Sequence, residues 1–257
     1  MNRRTLAFSL AAALALTGFS ACSAPGKTPV AVNDPVSAAA STEDDPVSAA
    51  LQNFDYTFFD ETQQQTNFED GLFGSVVYTQ PESGAADAQT LVNRAAALLE
   101  WDTGKDFSET EFSIGYFQCE MANGSGSMAQ VSAIIPDSDN RQAFLVLDAQ
   151  TQLPVYYNAG YFSSEPREDF ESWRQSWPEK AQDFCDVAGL GTIQSYEFSS
   201  MEEQGGRSFW VTLENGDIVQ FLFTQEPPAG TVDFTNLSAI GGEEMVASAK
   251  DYEANHT

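Results

Sequence analysis

Histidine is almost absent from this chain. The single one, His256, is the penultimate of 257 residues. A Ser-His-Asp or Cys-His nucleophile needs an imidazole held in a packed site, and a frayed tail offers none. Histidine-rich zinc sites fall for the same reason. Basic residues are scarce too: 11 Lys and Arg stand against 38 Asp and Glu, a formal charge of −27. That field repels phosphate backbones, so nucleic acid is not an expected partner. No glycine-rich phosphate loop with a lysine occurs, and Gly124-Ser125-Gly126-Ser127 lacks the strand–helix context of a nucleophile elbow. Asp137, Asp139 and Asn140 resemble half of a calcium loop. Gln142 and Asp148 stand where its Gly and distal Glu should be, so a turn is the expectation. No metal, cofactor or catalytic residue is therefore expected. Carboxylate pairs are too numerous for any one to be chosen.

Long apolar runs are also missing. The longest, from about Leu6 to Leu16, is too short for the roughly 20 residues a membrane-spanning helix needs. It follows Arg3-Arg4 and leads into Phe19-Ser20-Ala21-Cys22. Basic start, short apolar core and small residues before a cysteine together resemble a bacterial lipoprotein signal peptide, with Phe19 where the family usually has Leu. The resemblance implies cleavage before Cys22, acylation of that cysteine and a protein held on the extracytoplasmic face of a membrane. Acyl chains contribute roughly 0.8 kcal/mol per buried CH₂, so two or three of them anchor firmly.

With Cys22 acylated, Cys119 and Cys185 remain. An even pair outside the cytoplasm is compatible with one disulfide or with two buried thiols, and the spacing matches no zinc motif.

The organisation reads in six parts. Residues 1–21 form the signal. Residues 22–50 are a low-complexity tether in which Asp34-Pro35-Val36-Ser37-Ala38-Ala39 recurs as Asp45-Pro46-Val47-Ser48-Ala49-Ala50. Such a linker spans roughly 30 Å on flexible-chain scaling. Residues 51–82 are an aromatic lead-in of uncertain fold, with a strand expected near Leu72–Tyr78. In the first unit, 83–162, Ala88, Leu91, Val92, Ala95, Leu98 and Leu99 share one helical face, with Ser83 or Asp87 as cap and Gly104 as stop. Alternating strands follow at Phe112–Tyr116, Ala129–Ile135 and Phe144–Ala149, the last extended beyond a turn by Val155–Tyr157. In the second unit, 163–235, Phe170, Trp173, Trp177, Ala181, Phe184 and Ala188 give another helix, which Pro178 should kink or split. Three more strands follow, two of them joined at Asn215-Gly216, a strong hairpin signal. Residues 236–257 form a tail with at most a short helix. The fold class is α+β: two tandem α-β-β-β units, each a helix on an antiparallel sheet, behind a flexible tether.

At Val146-Leu147-Asp148-Ala149-Gln150-Thr151-Gln152-Leu153-Pro154-Val155 the chain resembles the closing strand and turn of PepSY-type domains, over roughly residues 83–158. The family motif is strand, Asp-Ala-x-Thr-Gly, then an apolar residue; here Gln152 replaces the Gly. Physically the motif is a tight turn in which Asp148 and Thr151 bond the backbone. The resemblance implies a non-enzymatic extracytoplasmic module that contacts or restrains another protein.

The expectation is a lipid-anchored, non-catalytic protein-interaction or regulatory module with a protein partner in the cell envelope. A second reading is a peptide- or glycan-binding lipoprotein with an aromatic groove from Tyr156, Tyr157, Tyr161, Trp173 and Trp177. Core packing is the competing role for Trp173 and Trp177. A carboxylate-dependent hydrolase is the third.

Overall fold

The apolar face counted off the sequence becomes α1 (Ala88–Thr103), with Leu91, Val92, Ala95, Leu98 and Leu99 buried. Asp87 caps it by accepting from the Thr90 N–H at 2.9 Å. Gly104 ends it in the left-handed conformation, φ 63°, donating to the Glu100 carbonyl. This computed structural model describes residues 53–59, 73, 76–138, 141–159, 170–201, 206–224 and 232–255. All lie in one unit, Leu51–Thr257. The expectations for the signal, Cys22, the tether, Tyr161 and His256 fall outside the described residues, as does the side chain of Trp173.

Four strands follow α1, not three: β3 (Phe112–Met121), β4 (Gly124–Ile134), β5 (Gln142–Asp148) and β6 (Pro154–Asn158). Four also follow α2 (Phe170–Val187): β7 (Ile193–Met201), β8 (Gly206–Leu213), β9 (Ile218–Thr224) and β10 (Val232–Asn236). Two short lead-in strands, β1 (Tyr56–Phe58) and β2 (Tyr78–Thr79), precede them. All ten belong to one sheet, in the order β1-β3-β4-β5-β6-β10-β9-β8-β7, with β2 on β3. The pairing is antiparallel except for β1 on β3. The protein is thus α+β. The two runs of strands meet edge to edge at β6 and β10, where Asp233 faces Asn158 and Phe234 faces Tyr157.

Both faces are covered. α1 and α2 pack on the first, over Ile114, Val131, Leu145, Tyr157, Phe234, Phe221 and Phe209. Phe184 of α2 holds the joint. Its ring lies 5.5 Å from Tyr157, 5.7 Å from Phe221, 4.9 Å from Phe234 and 5.9 Å from Trp101, touching both runs of strands. Truncating it to Ala would cost about 3–5 kcal/mol. Pro178 lies inside α2 and does not split it. It removes one i→i−4 bond, but buried Trp177, Ala181 and Phe184 keep the helix docked across it.

The second face carries α3 (Leu237–Ala254), far longer than the short helix expected for the tail. Asn236 caps it by accepting from the Ala239 N–H at 3.0 Å, and Gly242 breaks its course at φ 61°. Ile240 packs over Val146 and Met128, and Val246 and Ala249 over Trp210. The lead-in covers the rest of this face. Tyr78 stacks on Phe59, ring centroids 4.8 Å apart, and its hydroxyl donates to Gln130 Oε1 at 2.6 Å. Gly115 makes room for them: a Cβ there would stand 2.4 Å from Tyr78 Cδ1.

The Asp148 turn forms as its residues suggest. Asp148 Oδ1 accepts from the N–H groups of Gln150 and Thr151, both at 2.8 Å. Gln152 takes φ 63°, the conformation a glycine would adopt without strain.

Candidate functional site

The outer strand of the second run, β7, leaves one edge uncovered among the described residues. β7 begins where Gln182 of α2 accepts from the Ile193 N–H at 2.9 Å. Its register then shifts between Ile193 and Ser195. Beyond that irregularity Tyr196 and Phe198 point to the first face. Phe198 lies 4.6 Å from Phe209 and Tyr196 5.2 Å from it, ring to ring. Tyr196 is nonetheless 53% exposed. Among the described residues β7 pairs with β8 alone, so its other edge carries a row of N–H and C=O groups with no strand on them. Toward the second face Glu197 pairs with Lys250 of α3, whose ammonium lies 5.1 Å from the Trp210 ring centroid.

α3 is fastened behind this strand by a buried polar cluster. The side-chain oxygens of Glu253 accept from Trp210 Nε1 and from Gln220 Nε2, both at 2.8 Å. Gln220 also donates to Ser208 Oγ at 3.1 Å. Trp210 Nε1 and Gln220 Nε2 thus both have acceptors, the condition for burying them without a large penalty.

Two carboxyl groups mark the joint. Tyr157 donates to Asp102 Oδ2 at 2.6 Å, and Asn158 donates to Asp233 Oδ1. Burial pushes both acids up to about 7, against the lowering effect of those hydrogen bonds. The Tyr157 hydroxyl is raised by burial and by Asp102 beside it. Neighbouring strand residues point to opposite faces. Asp102 therefore lies over the first face and Asp233 over the second, with the sheet between them. They cannot flank one bond, so these two acids do not make the carboxylate pair of a hydrolase.

Among the described residues, the aromatics named for a groove do not share one surface. Tyr157 and Trp177 are fully buried in the first-face core, where their rings pack against Phe184, Phe209 and Phe221. Tyr156 lies on the other face, against Phe144. The disulfide open to Cys119 and Cys185 is not formed; both are free thiols. Cys185 belongs to the first-face core and Cys119 to the second-face cluster, so the sheet separates them. Burial raises Cys185 to about 12 and Cys119 to about 11, with acidic neighbours adding to the effect.

Sequence reasoning missed the buried acids and the sulfur atoms around Cys119. Cys119 and Met121 alternate on one face of β3, and Cys119 faces Gly126 across the hairpin. That Cys-x-Met spacing on a strand was the available signal. Among the described residues no three His, Cys, Asp or Glu side chains converge as a metal site. No described helix is long and apolar enough to cross a membrane. No family model, curated protein or solved structure matches this chain.

Proposed function

We propose that this protein is a lipid-anchored lipoprotein of the cell envelope that acts as a non-catalytic interaction or regulatory module, and that it engages its partner through β7. The observation that carries the reading is that strand: nine residues long, at the end of the sheet, and bearing the half-exposed ring of Tyr196. An extended segment of another protein can add to such an edge, its backbone supplying affinity and side-chain contacts supplying specificity. The charge of −27 selects a basic segment, or one beside a basic face, and makes association slow as salt rises.

Residues around Cys22 support the anchor, which places the protein on the extracytoplasmic face of the membrane. The bonded Asp148 turn and the left-handed Gln152 support the PepSY-like reading of residues 83–158. The matching order of elements after α1 and α2 supports two diverged copies of one helix-plus-strands unit, fused into a single sheet.

Two experiments test this. Cys22→Ala should release the protein from membranes and abolish lipid labelling; unchanged membrane fractionation overturns the anchor. A photo-crosslinking residue at position 196, in intact cells, should give one discrete adduct that weakens with added salt. The same residue at the equally exposed Val77 or Ile134 should not give it. Equal adducts at all three positions would sink the β7 interface.

A further inference from the structure

Sulfur is concentrated at one place on the second face. The Cys119 Sγ and Met121 Sδ atoms lie 3.4 Å apart on β3. Met128, from the paired strand β4, closes on them. The position opposite Cys119 is Gly126, and a Cβ there would stand 2.9 Å from Met121 Cγ and 3.0 Å from Met128 Cε. Both methionines thus lean into the space that a side chain at 126 would fill. Met245 of α3 packs against the same cluster. The turn beside it is fastened to α3 by the Ala122 N–H, which donates to the Ala239 carbonyl at 3.1 Å. Three of the chain's five methionines and one of its three cysteines therefore share this cluster.

Methionine is a common filler of irregular cores, and three thioethers alone would be read that way. Two observations go further. A thiol stands in direct contact with one of the thioethers. The pair is also only half-buried, beside the turn at 122–123, so it can be reached from solvent. Thiolate and thioether donors together select soft, monovalent cations over zinc or the oxygen-seeking metals.

We propose that Cys119 and Met121, with Met128 as third donor, bind one soft monovalent metal ion of copper(I) type. A metal–sulfur bond of about 2.3 Å places two sulfurs 3.4 Å apart at an angle of roughly 95°. Opening the pair to about 4 Å gives a trigonal angle, and the three torsions of each methionine allow that movement. Binding moves no electrons. The Cys119 thiol gives its proton to solvent, the thiolate takes the ion, and one proton leaves for each ion bound. Because a proton leaves with each ion bound, binding weakens as pH falls. Nearby Glu120 and Asp148, which raise the thiol, favour a cation in its place.

The test uses the full chain carrying Cys22→Ala and Cys185→Ser, titrated anaerobically with copper(I) against a chromogenic copper(I) chelator. One ion per chain is expected. Cys119→Ser should weaken binding by at least a hundredfold, and Met121→Leu and Met128→Leu by about tenfold each. Met201→Leu should change nothing. Excess zinc should not displace the ion. A readout free of substitutions at the site is alkylation of Cys119 by iodoacetamide, which bound copper(I) should suppress. Undiminished affinity in Cys119→Ser overturns the site. So does a loss confined to that variant, with both Leu variants binding like the parent, because a lone thiol would then account for all of it.

Discussion

The two ends of the sheet are built from the same kind of strand and finished differently. At one end β3 is covered by β1 along Phe112–Ile114 and by β2 at Tyr116–Phe117. The aromatic rings of that lead-in fold over Gly115. At the other end β7 has no described strand outside it; Gln182 of α2 bonds its first residue, Tyr196 and Phe198 rest on Phe209, and Glu197 pairs with Lys250 of α3. Short edge strands, charges and covering segments are the usual protections against edge-to-edge pairing. The first end uses a short strand and a cover. The second has one ion pair and a register irregularity, and leaves a tyrosine exposed. On a chain of charge −27, like-charge repulsion opposes pairing of this edge with a second copy of the same chain.

The contrast can be broken at several points. Gly115→Val should have the largest effect, because the new side chain takes the space of Tyr78 and Phe59. We expect about 2–3 kcal/mol of lost stability in urea unfolding. Hydrogen exchange should also quicken at residues 53–59 and 76–80 while β7–β9 stay protected. Loss spread evenly over the sheet would mean that the lead-in is not a separable cover. Glu253→Ala should cost about 2 kcal/mol, since it leaves the buried Trp210 and Gln220 donors without their acceptor. Its exchange signature should be the mirror image, concentrated in β7, β8 and α3. Glu253→Gln keeps one acceptor and should cost less.

The joint between the ends responds to protons. Asp102 and Asp233 hold theirs more tightly folded than unfolded, so the folded state binds more protons between about pH 4 and 7. Stability should therefore fall as pH rises through that interval. Repulsion among the surface acids has the same sign, so the variants decide the cause. Asp102→Asn with Asp233→Asn should flatten the slope, and an unchanged slope would assign it to surface charge. The smallest effect should come from Tyr196→Ser, under about 0.5 kcal/mol on stability. A melting temperature lowered as far as by Gly115→Val would mean that β7 is part of the core and not an open edge.

How far the sequence could be read depended on how many faces of each element are covered. α1 is buried on one side, so its period and its Gly104 stop were visible, and Asp87 was one of two candidate caps. The hairpin at Asn215-Gly216 was visible for a local reason: Gly216 takes φ 91° and Asn215 Oδ1 accepts from the Asp217 N–H. β10 was not, because five residues, Val232-Asp233-Phe234-Thr235-Asn236, are too few to set their alternation apart from that of a loop. Tyr156 and Tyr157 were candidates for one aromatic groove, but as strand neighbours they enter opposite cores. The length of α3 was hidden by Gly241 and Gly242, which read as a loop and instead mark a break in a helix. The buried acids could not be foreseen among 38 candidates, because only the joint singles them out.

The position of β10 has a consequence for how the chain reaches this state. It lies in the middle of the sheet, yet it is the last strand in sequence. A chain emerging from its N-terminus can zip β3 to β6 and β7 to β9 as local meanders, with short loops to close. Until residues 232–236 arrive to bond with both, β6 on one meander and β9 on the other are edges that the finished sheet will cover. Maturation is thus gated by five late residues. Until they dock, the nascent chain presents these two edges in addition to that of β7, the form in which β proteins are most prone to capture by one another or by a chaperone.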